Sequence, residues 1–254
     1  MLSVVILTKN EEKNIIDCLE SISWADEIIV IDDFSEDRTL EVIKNLNLNN
    51  KITIIKRRLN NDFSDQRNFG FLKAKSEWVL FLDADERVTK ELREEINSLL
   101  IKEKNSSFYS GFYIPRHDVL WGRLIKHGEA GKVRLLRLIR KDSGKWKGKV
   151  HEKFYSNQRV SETESGFLHF PHQTVNEFLQ EINFYTSIRA KELFAQGVRT
   201  NLFQIVFYPK AKFILNYFFN LGFLDGIEGL VLAIFMSFHS FLVRAKLFLL
   251  WLKN

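Results

Sequence analysis

The sequence predicts an α/β protein: an open, mostly parallel sheet flanked by helices, followed by a hydrophobic or amphipathic helical segment at the C-terminus. Three observations carry this reading. Short apolar runs rich in Val and Ile recur between Leu2 and Asp83 with helical patterns between them, and that alternation is how βαβ units read. After Ser110 strand-like runs succeed one another through Gly- and Lys-rich loops. From Phe203 onward the chain is dense in Phe, Leu and Ile.

Taken in order, Leu2–Thr8, Glu27–Asp32, Ile52–Lys56 and Trp78–Asp83 are the expected parallel strands. They lack polar alternation because helices cover both faces of such a sheet. Glu12–Ser23, Asp37–Leu46 and Gln66–Ala74 are the intervening helices, and Thr89 is the expected N-cap of a further helix reaching about Leu100. Gly111–Arg116, Val133–Arg140 and Val150–Tyr155 predict a smaller mixed or antiparallel extension, and Thr174–Gln196 returns to helix. Cys18, the single cysteine, sits among Ile15, Ile16, Leu19 and Ile22 and reads as a small buried hydrophobe. No intrachain disulfide can form, which points to a reducing compartment. Met1-Leu2-Ser3-Val4 opens into a strand without a basic leader, so the expected location is cytoplasmic.

The 254 residues suffice for one α/β core plus an appendage. The net charge of +5 is uneven: Arg116–Lys153 holds 12 Lys and Arg against 4 Asp and Glu. Such a stretch is either a solvated basic face or a site for an anionic partner. No helix-turn-helix, zinc-finger or RNA-binding signature accompanies it, so nucleic acid is not expected. In the tail the longest charge-free run, Gly229–Val243, falls short of the roughly 20 residues that cross a bilayer core. A core helix, a segment lying in the membrane interface and a span all remain open, the interface segment being the expected one.

Chemistry is expected where the strands end, because ligands of open α/β sheets bind outside the carboxyl ends of the strands. Asp83-Ala84-Asp85 closes the fourth strand and offers hard oxygen ligands to Mg²⁺ or Mn²⁺. Asp32-Asp33 closes the second, where capping explains one carboxylate more easily than two. Thr8-Lys9-Asn10-Glu11 closes the first.

Val4-Val5-Ile6-Leu7-Thr8-Lys9-Asn10-Glu11-Glu12, Ile31-Asp32-Asp33-Phe34-Ser35, Gln66-Arg67-Asn68 and Phe81-Leu82-Asp83-Ala84-Asp85 stand in one order. Together they resemble the family 2 glycosyltransferases of the GT-A (Rossmann-like) fold. The resemblance implies a metal-dependent hexosyltransferase in which Thr8, Asn10, Glu11 and Asp33 hold the nucleoside of a UDP-sugar. It places Arg67 near the nucleotide, gives Asp83 and Asp85 to ribose and metal, and makes Asp85 the more direct ligand. Val150-His151-Glu152, Leu168-His169 and Gly222-Phe223-Leu224-Asp225-Gly226 resemble a narrower branch that adds a sugar, often glucose, to lipopolysaccharide core or related lipid-linked glycans. Glu181 departs from that branch, where a basic residue is expected.

Glu152 matches the catalytic base of related inverting enzymes, with His151 in support. His169 and His172 are candidates to ligate the metal or contact phosphate, and Arg67, Arg134 and Arg137 to stabilise the leaving diphosphate. The implied organisation is a nucleotide-sugar half at 1–110, an acceptor and catalytic half at 111–173, and a membrane-associating helical segment at 174–254. The expected setting is the cytoplasmic face of the inner membrane, peripheral or monotopic, with an anionic lipid-linked glycan as acceptor.

Three rivals are weaker. A haloacid-dehalogenase-type phosphotransferase needs a hydroxyl residue two places after the acidic pair, where this chain has Arg87. A nucleotidyltransferase opens on a Gly-rich phosphate loop, and Leu7–Glu12 contains no glycine. A catalytically silent nucleotide- or lipid-binding module would keep the fold and the tail but would not need Glu152.

Overall fold

A computed structural model describes residues 1–46, 51–106, 108–149, 152–156, 158–171 and 174–253, with 104–106 described for backbone only. Two compact units are formed, one from Met1–Arg116 with Arg134–His169, the other from His117–Val133 with Phe170–Asn254.

The first unit has the βαβ pattern: β1 (Leu2–Thr8), α1 (Ile15–Ser21), β2 (Glu27–Asp32), α2 (Thr39–Asn45), β3 (Ile52–Lys56), α3 (Phe63–Lys73), β4 (Trp78–Asp83). The chain continues through β5 (Glu86–Val88), α4 (Lys90–Ser106) and β6 (Gly111–Leu120). β1 pairs in parallel with β2 and β4, and β2 in parallel with β3. These four strands bury side chains on both faces. Trp78, Leu80 and Leu82 of β4 join the cluster holding Val4, Ile6 and Ile28. Val79 and Phe81 join the opposite cluster with Val5, Ile29 and Phe71. Cys18 is fully buried in the first of these.

The observed helices differ from expectation at their ends, for local reasons. α1 begins at Ile15 rather than Glu12, because Asn10 takes a left-handed φ of 57° and residues 10–12 are bound to the loop after β2. α3 begins three residues early, where the Asp62 side chain accepts the Asp65 N–H at 2.9 Å. α4 has the expected cap, Thr89 Oγ1 accepting from Leu92 N at 3.1 Å, and runs on to Ser106.

Past β4 the sheet turns antiparallel. β7 (Arg123–Leu124) and β8 (Arg134–Arg140) come next, then β9 (Gly144–Lys147), β10 (Lys153–Ser156), β11 (Val160–Glu162) and β12 (Phe167–His169). β8 lies antiparallel to both β4 and β6, β12 antiparallel to β5, and β9 and β10 form a separate hairpin. The sheet runs β3-β2-β1-β4-β8-β6-β12-β5. Of the expected strand Val150–Tyr155, Val150 and His151 lie outside the described residues, as does His172.

The second unit is helical. α5 (Val175–Ala195) opens on a reciprocal capping box between Thr174 and Glu177. α6 (Leu202–Ile214) continues into a widened turn at Leu215–Phe219, and α7 (Gly226–Lys253) completes the unit. Phe178 of α5, Phe235 of α7 and Trp121 pack edge-on or tilted with centroids 4.9–6.5 Å apart. The most apolar 18-residue window of Gly222–Lys253 has a mean hydropathy of 1.8 with 22% of it buried, so length and composition alone would let this helix cross a membrane.

Candidate active site

Strand register builds the rim. Thr8 lies opposite Asp32 and Leu7 opposite Asp83, so the polar ends of β1, β2 and β4 emerge side by side. Two loops then lock across it. Asn10 N donates to Ser35 Oγ, and Asn10 Oδ1 accepts from Glu36 N. Glu11 N donates to Thr39 Oγ1, and Glu12 N to Asp37 Oδ2. Asn10 is thus a staple between loops as well as a rim residue.

Asp32 and Asp33 divide their work as capping logic suggests. Asp32, fully buried, accepts from the Ser35 amide and hydroxyl. Asp33 accepts from Leu59 N at 2.9 Å and pairs with Lys9 Nζ at 2.9 Å. It lines a half-open cleft of about 350 Å³ with Lys9, Phe34, Ser35, Glu36, Lys56 and Arg58. Thr8 Oγ1 is buried without a hydrogen-bond partner in the protein. Burial pushes the Glu11 carboxyl up to about 7, opposed by the Asn14 hydrogen bond and assisted by the charge of Asp85.

The centre of the site is a buried charge cluster. α3 lies close on the sheet because Gly70 has no side chain: a Cβ there would meet Val5 Cγ1 at 2.4 Å. One turn earlier Arg67, 3% exposed, donates from Nε to Glu152 Oε1 at 2.7 Å and from Nη2 to Asp83 Oδ1 at 2.8 Å. Its guanidinium lies over the Trp146 ring at 5.2 Å. Asn68 fixes that wall by exchanging hydrogen bonds with the Trp146 backbone. From β8, Arg137 donates to Asp83 Oδ2 at 2.6 Å and to Glu86 Oε1 at 3.1 Å.

Burial opposes charge on Asp83, yet Arg137 and Arg67 outweigh it and hold its carboxyl well below the usual range. Glu86 goes the other way: burial raises it to about 7, with Arg137 opposing. Burial would lower the Arg137 pKa, but Asp83 and Glu86 raise it. Both arginines keep one Nη1 buried without a partner.

Both oxygens of Asp83, an expected metal ligand, are therefore committed to arginines. Asp85 and His169 stand differently: the pairing of β5 with β12 sets His169 Nε2 3.2 Å from Asp85 Oδ2. Among the described residues no group of three or more His, Cys, Asp and Glu forms a complete metal cage. A carboxylate oxygen and an imidazole nitrogen are nonetheless a donor pair that suits a divalent cation taking its other ligands from substrate phosphate and water. The two guanidinium groups face Asp83, Glu86 and Glu152, and the Glu86 carboxyl, raised to about 7, is only partly charged at neutral pH. Of the two strand arginines, Arg137 enters the site while Arg134 pairs at the surface with Glu162. Sequence reasoning missed Glu86. Its signal was weak, a carboxylate one place past the acidic pair at the start of a three-residue strand.

A parallel sheet ending in two acidic corners, with an antiparallel extension that returns a carboxylate to them, is the GT-A architecture of glycosyl-transferring enzymes. The sequence profile described as Glycosyl transferase family 2 matches residues 3–171. The chain belongs to that family and is a glycosyltransferase.

Over 251 residues it is 28% identical to the Rhizobium meliloti (strain 1021) protein named lipopolysaccharide core biosynthesis glycosyltransferase LpsC, covering 97% of this chain and 92% of that one. A glycosyltransferase of Rickettsia typhi (strain ATCC VR-144 / Wilmington) is 29% identical over 269 residues, covering 100% and 88%. Among solved structures, S. aureus TarS 1–349 in complex with UDP has a TM-score of 0.50 at 14% identity, covering 100% of this chain and 92% of that one. At that identity the likeness bears on the fold.

Proposed function

We propose that this chain transfers a sugar, glucose being the first to test, from a UDP-sugar to an anionic lipid-linked glycan of the lipopolysaccharide-core kind. The transfer inverts the anomeric carbon and takes place at the cytoplasmic face of the inner membrane. The observation that carries the reading is Arg67, which holds Glu152 with one nitrogen and Asp83 with another. A single guanidinium thereby sets the candidate base at a fixed place relative to the acidic strand end. UDP is the first nucleotide to try because TarS, alike in fold, was solved with it, and the acceptor class rests on the name of the LpsC relative.

In this reading Asp33 and Thr8 hold the nucleoside, with Lys9 exchanging its ion pair for the ligand. Arg67 fixes the Glu152 carboxylate through Oε1. The acceptor hydroxyl gives its proton to Glu152 as its oxygen bonds the anomeric carbon and the bond to the diphosphate breaks, a single displacement that inverts that centre. Mg²⁺ or Mn²⁺ held by Asp85 and His169 would supply charge neutralisation at the leaving diphosphate.

Calorimetric titration with UDP, with and without Mn²⁺, tests the donor site. Metal-dependent binding weakened about tenfold or more by Asp85→Asn supports it, and absence of UDP binding under both conditions overturns it. Glu152→Gln keeps an oxygen for Arg67 and is expected to lower kcat by about 10²–10⁴ while UDP affinity holds. Undiminished turnover would remove Glu152 as base, and a wild type that binds UDP but transfers nothing from any UDP-sugar would favour the silent module.

A further inference from the structure

The second compact unit presents a surface that the transfer chemistry leaves unused. From Leu193 to Leu224 the chain carries Arg199, Lys210 and Lys212 and no Asp or Glu. α6 has no buried residue at all, although a helix of a soluble domain buries one face. The apolar exposure peaks at the turn into α7, where Phe219 is 75% and Ile227 76% exposed and Phe218, Leu221, Phe223 and Leu224 are also exposed.

This turn is rigid. Leu221 has φ 60° and Gly226 φ 72°. A Cβ on Gly222 would meet Asn216 O at 2.7 Å, and one on Gly229 would meet Gly222 O at 2.1 Å. Close backbone packing therefore holds the apolar side chains outward.

A collar of cations sits beside them. Asp225, buried, accepts from His127 N at 2.8 Å, from Lys126 N and from the His127 ring. That carboxylate pins the 121–133 loop next to the turn. The loop presents Arg123, Lys126 and Lys132, all exposed. Lys132 Nζ donates to Asn220 Oδ1 at 2.8 Å, Arg123 Nη2 donates to Leu224 O at 3.3 Å, and Lys212 pairs with Glu129. Three carboxylates lie among these four cations: Glu129, the buried Asp225, and Glu228, which faces Arg123 at 3.5 Å.

We infer that the Leu215–Ile227 turn is a wedge that seats in the interface of an anionic lipid bilayer, with Arg123, Lys126, Lys132 and Lys212 reaching the headgroup phosphates. Aromatic and aliphatic side chains belong at the boundary of headgroups and acyl chains, and cations beside them snorkel to phosphate. Charge selects a lipid surface over a second copy of this chain: the collar is cationic, and a copy would bring the same sign against it. Length and polarity argue for lying on the bilayer rather than crossing it. Thirteen residues of α6 reach about 20 Å, short of the roughly 30 Å hydrocarbon core. α7 is committed to polar contacts in its second half, where Lys246 Nζ donates to Asn183, Thr186 and Ser187, and Arg244 lies over Tyr208. The wedge deepens the membrane setting proposed above, yet its lipid binding is measurable without any transfer reaction.

The test is co-sedimentation of the full chain with vesicles of phosphatidylcholine alone and of phosphatidylcholine with phosphatidylglycerol. Binding is expected to favour the anionic vesicles and to weaken with salt. The F219S/I227S double variant should lose tenfold or more in vesicle affinity, and K126A/K132A about tenfold, both with UDP affinity intact. Equal binding to neutral and anionic vesicles, unchanged binding in F219S/I227S, or a carbonate-resistant membrane fraction would overturn the wedge. So would a dimer in sedimentation velocity that F219S/I227S disperses. Vesicle binding without UDP binding would sink the reaction and leave the wedge standing; the converse would sink the wedge alone.

Discussion

β4 and α6 are both dominated by Leu, Val, Ile and aromatic residues, and they end in opposite environments. Every residue from Trp78 to Leu82 is buried, alternate side chains entering the two clusters on opposite faces of the sheet. α6 buries none of its residues. A strand in the middle of a covered sheet has neighbours on both faces and both edges. A helix in a small helical unit has room for contact on one side, so apolar residues placed around it outnumber what the fold can cover. Apolar density therefore reports the medium an element meets, and that medium is not always the protein's own interior.

The charge cluster offers the strongest way to break this contrast, because there the first unit buries ions rather than hydrocarbon. Arg67→Met leaves the mostly buried Glu152 unpaired, while Asp83, 36% exposed, keeps Arg137 and solvent. The expected cost is therefore about 3 kcal/mol, the low end for a buried pair, in urea or thermal unfolding, together with transfer activity. A stability change near zero would mean that solvent reaches the cluster and that it is not the interior described above.

Next comes the direct comparison. Leu80→Ala opens a cavity in a fully buried strand and should cost about 2–5 kcal/mol, whereas Phe203→Ala on α6 should stay within about 0.5 kcal/mol. A loss of about 2 kcal/mol at Phe203 in lipid-free solution would show that protein, not a bilayer, covers that face.

The smallest effect sharpens the rim. Glu11 titrates near 7 in the folded protein against an ordinary 4.5, so between these values the folded state binds more protons than the unfolded one. Stability therefore falls as pH rises through that window. Glu11→Gln, which can still accept from Asn14, should flatten this part of the profile and raise Tm at pH 8 but not below pH 4.5. An unchanged slope would assign the window to Glu86.

The loops that staple the rim show how far the motifs could be read. Asp33, Thr8, Asp83 and Asp85 were legible because strands ending in register expose their last residues, and the first of the loops beyond, along one edge. The tie of Asn10 Oδ1 to Glu36 N was not, since it depends on a left-handed backbone at Asn10. Arg134 and Arg137 look alike as basic residues in one stretch. Three positions apart on a strand they face opposite sides, and only β8 lying against β4 decides which of them meets Asp83.

By itself the sequence determined the order of βαβ units, the four strands of the parallel half and the acidic ends that define the rim. Those features are local, set by apolar runs, capping residues and the period of each element. Tertiary structure alone decided that Glu152 meets Arg67 across 85 residues, that His169 reaches Asp85, and that 117–133 joins the C-terminal helices in one compact unit. Such contacts carry no periodic signal, because the folding of the sheet and its hairpins, not spacing along the chain, brings the partners within a hydrogen bond's length.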